Sequence, residues 1–66
     1  MDQEYGSKLA YVLVEESGSP SVRELPERRL ALLDEAVEVA KALDTANPYR
    51  EKVLRRALGA RARLGA

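Results

Sequence analysis

The chain contains no cysteine, no histidine, no tryptophan and no phenylalanine. Without cysteine and histidine it has neither disulfides nor the ligands of a structural zinc site, the usual staples of small folds. The same two absences remove the commonest general base and the best thiolate nucleophile. The four glycines are scattered, so no glycine-rich phosphate loop is present. Glu35 and Glu38 are the nearest candidates for an acid–base pair, and Asp34 joins them as a candidate metal ligand. All three fall on the polar face of a helix, where solvated carboxylates keep ordinary behaviour. No catalytic residue, cofactor or metal site is therefore expected.

Long hydrophobic runs are also missing. The longest, Leu9 to Val14, spans six residues, whereas a membrane-crossing helix needs about 20. Asp2 and Glu4 stand where a signal peptide would carry basic residues, so a cytoplasmic chain that avoids the membrane is expected.

What remains is a charged, leucine- and alanine-rich chain of 66 residues, one third of it charged, with 11 basic and 11 acidic side chains. That composition is helical, too hydrophobic for a disordered tail, and allows one small domain. A chain this short hides only about 60% of its unfolded surface. The balanced charge conceals an asymmetry. Residues 1–44 carry five basic and ten acidic groups, net −5, and residues 45–66 carry six and one, net +5.

The clearest element spans 26–44. Projected at about 100° per residue, Leu30, Leu32, Leu33, Ala36, Val37, Val39, Ala40 and Leu43 share one half of the helical wheel. Glu27, Arg28, Asp34, Glu35, Glu38 and Lys41 fill the other half. An apolar face this wide exceeds a two-helix seam and should touch two neighbours, from its own chain or another. Pro26 suits a first helical turn, and Ser21 with Glu24 reads as a capping box within a turn or linker over 18–25.

Asn47 before Pro48 marks a break and a good N-cap, opening a second helix over 48–64. Tyr49, Val53, Ala57, Ala60 and Leu64 form its apolar stripe, with Leu54 and Leu58 beside it. The N-terminal element, 1–17, reads two ways: as a helix whose face is Tyr5, Leu9, Val12 and Leu13, or as a strand over Leu9–Val14. The fold expected is mainly α, a small bundle of an N-terminal helix or short strand and an antiparallel helical hairpin, completed by an oligomer mate or a partner. Leu30, Leu33, Val37, Leu43, Val53, Leu54 and Leu58 are its expected packing residues.

The basic helix carries the functional content. Its cations, Arg50, Lys52, Arg55, Arg56 and Arg63, have three uses: surface ion pairs with the acidic helix, an acidic partner surface, or phosphates of nucleic acid. Tyr5, Tyr11 and Tyr49 read as rim residues of the core, with a base-stacking platform as the alternative. Ser19-Pro20 reads as a turn. The segment Leu25-Pro26-Glu27, the helix after it, the short break and the run Arg50-Glu51-Lys52-Val53-Leu54-Arg55-Arg56-Ala57-Leu58 loosely resemble the ribbon-helix-helix regulators. The resemblance covers about half of the chain, which lacks the usual glycine between the helices. It implies a dimer whose paired strands, here at Pro20–Glu24, enter a DNA major groove. The first expectation is instead a non-catalytic interaction module, an adaptor, inhibitor or accessory subunit, contacting itself or a larger protein through those five cations.

Overall fold

Leu9–Val14 has strand-forming residues, yet no second segment offers a strand to pair with it. A lone strand leaves its backbone groups unmet, whereas a helix bonds its own. The computed structural model, which describes residues 2–65, accordingly holds this segment in helix α1, Gln3–Ser17. Asp2 caps it, its Oδ1 accepting the amides of Glu4 at 2.9 Å and Tyr5 at 3.2 Å. No strand occurs among the described residues.

The expected linker over 18–25 is more ordered than a turn. Gly18 ends α1, and Pro20 opens a four-residue helix, α2, Pro20–Arg23. Val22, buried, ties it to the bundle. The Ser21–Glu24 capping box does not form, because Ser21 lies inside α2 and Glu24 is its C-cap. Leu25, with no capping side chain, precedes α3, Pro26–Lys41. Pro26 has no N–H to leave unsatisfied, so it partly compensates for the missing cap. Helix α3 stops at Lys41, short of the predicted Asp44, and Leu43 folds back into the core. Helix α4 runs Pro48–Gly65, with Asn47 Oδ1 accepting the Tyr49 amide at 2.9 Å.

Helix α3 sits between α1 and α4 and runs antiparallel to both. The ends of α1 and α3 meet through Gln3 and Asp44, and Asp34 of α3 meets Arg61 of α4. Helices α1 and α4 are therefore parallel and touch less extensively than either touches α3. The two neighbours demanded by the wide face of α3 both come from its own chain. Leu33, Ala36, Val37 and Ala40 are buried between Ala10, Leu13 and Val14 on one side and Val53 and Ala57 on the other. The radius of gyration, 11.3 Å, matches the roughly 11 Å of a globular chain of this length. Among the described residues, no helix is long and apolar enough to cross a membrane.

Of the predicted packing residues, Leu33, Val37, Leu43 and Val53 are buried, and Leu54 packs half-buried against them. Leu30 and Leu58 lie outside this core, 39% and 47% exposed. Each falls at the edge of its helix stripe, rotated past the line where α3 meets α4. The two leucine classes separate experimentally. Val37→Asp places a charge in the packed face and should abolish the helical circular dichroism signal. Leu30→Asp should shift the urea-unfolding free energy by less than about 1 kcal/mol.

Candidate functional site

The α3–α4 turn is held by α1 rather than by its own residues alone. Gln3 Oε1 accepts the Asp44 amide at 2.8 Å and one Asn47 Nδ2 proton at 3.1 Å. The other Asn47 Nδ2 proton goes to Ser7 Oγ at 3.0 Å. One side chain thus starts α4 through its oxygen and staples α4 to α1 through its nitrogen. Asp44 Oδ1 accepts the Ala46 amide at 2.9 Å and closes the turn.

Beside this polar clasp, between α1 and the start of α4, lies an open groove of about 880 Å³ whose accessible surface is mainly apolar. Tyr11 and Val12 form the α1 wall, and Pro48 and Tyr49 form the α4 wall. Tyr11, Val12 and Tyr49 are each about half exposed, and Tyr5 more so. Glu4 and Lys8, paired at 3.4 Å, stand along the α1 rim.

The five cations predicted as a contact set differ in their surroundings. The Arg56 guanidinium donates to Glu15 Oε1 at 3.0 Å and lies 5.5 Å from the Tyr11 ring centroid. The Glu15 carboxylate raises the Arg56 pKa, against the opposing effect of partial desolvation. Arg55 meets Glu51 of its own helix at 3.8 Å, both side chains highly exposed. Arg50 is half-buried, its Nε enclosed without a hydrogen-bond partner. Lys52 and Arg63 are exposed and make no ion pair among the described residues. With Glu51, Arg55 and Arg56 they line a separate hollow of about 510 Å³ along α4, and Pro48 borders both this hollow and the groove.

Arg61 was not singled out by the sequence, yet it lies 3.1 Å from Asp34 Oδ1 and bridges α4 to α3. Its place beside the Val53–Ala57 stripe was readable from the helical period. Glu35 and Glu38 are exposed on α3, and no group of three potential metal-binding side chains gathers among the described residues. The segment ahead of Leu25, where a ribbon-helix-helix chain has its strand, is helix α2.

Asn47 separates its two duties by substitution. Asn47→Asp keeps the capping oxygen and loses both amide donors, so thermal unfolding should show about 1–2 kcal/mol of destabilisation. Asn47→Ala, losing cap and clasp together, should cost more. For Arg56 and Glu15, a double-mutant cycle with Arg56→Gln and Glu15→Gln should give a coupling of about 0.3–1 kcal/mol that shrinks with added salt. Because the Arg56 pKa is raised, its contribution is complete below the unfolded arginine value. It is lost only as pH climbs through the folded one, so from the arginine side the coupling should be flat at neutral pH.

Compared with known proteins, the chain matches no family model, no curated protein and no solved structure.

Proposed function

We propose that this chain is a non-catalytic interaction module that docks on a larger protein through the exposed faces of α1 and α4, as an adaptor, inhibitor or accessory subunit. One observation carries the reading. The three long helices close a core on themselves, and all three tyrosines are nonetheless left outside it, two of them on the walls of one apolar groove. Tyrosine combines a large apolar face with a polar tip and loses little conformational freedom on contact, which makes it an interface residue. The chain brings neither histidine nor cysteine to a reaction. The contact set narrows from the five predicted cations to Lys52 and Arg63, with Arg55 beside them, because Arg50 is half-buried and Arg56 pairs with Glu15 within the fold.

The full tagged chain, purified gently from its native cells at low salt, should carry a stoichiometric protein that survives nuclease. The same purification with Tyr49→Ala should lose it while the helical signal stays intact. Recovery of the tagged chain alone, or with nucleic acid removable by nuclease, would overturn this reading.

A further inference from the structure

We infer that this chain associates with itself head to tail, the outer face of α4 in one copy seating on the outer face of α3 in the next. The inference goes beyond the interaction-module reading and does not rest on it. It engages the α4 cations and leaves the tyrosine-walled groove open.

The outer face of α3 carries Glu27, Ala31, Glu35 and Glu38, all exposed. None of the three glutamates has a cationic partner among the described residues. The outer face of α4 carries Lys52, Arg55, Gly59 and Arg63. Lys52 and Arg63 are equally unpaired, and Arg55 has only a loose, highly exposed contact with Glu51 at 3.8 Å. These charges belong to the asymmetry between 1–44 and 45–66 that the Glu15–Arg56 and Asp34–Arg61 pairs leave uncancelled. They do not meet within one chain, because α3 and α4 face each other through Val37, Val53 and the Asp34–Arg61 bridge.

Between two copies the faces match residue for residue. Backwards along α3, from Glu38 through Glu35 and Ala31 to Glu27, the steps are 3, 4 and 4 residues. Forwards along α4, from Lys52 through Arg55 and Gly59 to Arg63, they are again 3, 4 and 4. Steps of three and four keep each set on one stripe of its helix. Antiparallel pairing in that register sets Lys52 against Glu38, Arg55 against Glu35 and Arg63 against Glu27, over about 16 Å. Arg28, the cation beside Glu27, falls opposite Ala62. Within the two faces no like charges are directly opposed. A second copy of this chain therefore supplies the complement in charge, spacing and length.

Gly59 falls opposite Ala31, between the Arg55 and Arg63 pairs. Glycine is disfavoured inside a helix, and the fold gives no reason for it here: a Cβ on Gly59 would meet no atom within 4 Å. A neighbouring helix gives one, since two small residues let the helix axes approach until the flanking charges reach each other.

The acidic and basic faces are different surfaces of one molecule. The contact is heterologous, and each copy keeps one face of each kind for a further copy. One helix against one helix falls short of the roughly 1,200 Å² of a stable interface, and exposed ion pairs are individually weak. The assembly is therefore reversible, dependent on concentration and weakened by salt.

The test is sedimentation equilibrium of the purified full chain, from micromolar to millimolar concentration. At low salt the weight-average mass should climb past twice the 7.3 kDa of one chain, and high salt should return it to one. Glu27→Lys, Glu35→Lys and Glu38→Lys together should keep the chain monomeric, as should Lys52→Glu, Arg55→Glu and Arg63→Glu together. Mixed, the two variants should associate again, each restoring the complement of the other. Gly59→Gln in both should abolish that recovery, which separates the register from general attraction between oppositely charged chains. These positions are exposed or half-exposed, so every variant should keep its helical signal. Tyr49→Ala should leave the association unchanged.

A single-chain mass at every concentration in low salt, or a mass that levels off at two chains, would overturn the inference. So would association that survives either charge reversal, a mixture that stays monomeric, or recovery that persists with Gly59→Gln. The interaction-module reading is judged separately, by what the tagged chain brings from its cells.

Discussion

The inner face of α3 must be buried on two sides at once, and most of the architecture follows from that constraint. A helix whose apolar residues fill half its circumference is not satisfied by one neighbour. Leu33, Ala36, Val37 and Ala40 are covered only because α1 and α4 approach from different directions. With α1 and α4 each antiparallel to α3, those two run parallel, and they touch less extensively than either touches α3. The groove is the geometric remainder of that arrangement. Alanines at Ala10, Ala36, Ala40 and Ala57, all fully buried, let the three axes come close without the bulk that would have filled the gap.

Electrostatics distributes itself around the same scaffold. The split between an acidic 1–44 and a basic 45–66 is partly cancelled across helix seams. Glu15 takes Arg56 between α1 and α4, and Asp34 takes Arg61 between α3 and α4. Both pairs are about half exposed, so each adds little to stability and more to orientation. Glu15 illustrates the balance. A carboxylate near a helix C-terminus opposes the macrodipole, and its arginine partner from α4 offsets that penalty. Lys52 and Arg63 are left over on the face away from the acidic helix.

Much of the helical layout was legible in the residues. The 3.6-residue period of 26–44 and the Asn47-Pro48 break locate α3 and the start of α4 because those signals are local. Three features were not. Whether Leu9–Val14 is helix or strand depends on the absence of any pairing strand, a property of the whole chain. Helix α2 depends on Val22 finding the core, which turn chemistry at Ser17–Ser21 does not reveal. The groove's floor joins residues 3, 7, 44 and 47, whose meeting no periodicity encodes. Among the cations, the wheel placed the stripe correctly, but which arginine meets an acid depends on the positions of Glu15 and Asp34 on other helices. Leu30 and Leu58 show the matching limit for apolar residues. A half-wheel arc includes both edges, and in α3 the Leu32 and Val39 edge packs against the core while the Leu30 edge does not.

The clasp also has a kinetic meaning. Helix ends are the first segments to open, and Gln3 sits in the opening turn of α1, held there by the Asp2 cap. The α3–α4 hairpin closes over a short turn and forms from contacts near in sequence. The Gln3–Asn47 bond joins positions 44 residues apart and closes a longer loop at a larger entropic cost. Unwinding of that single turn breaks both Gln3 bonds and frees the Asp44 amide, while Ser7 in the next turn still holds Asn47. Two of the three bonds from α1 to the clasp thus open with that turn, and the third outlasts it.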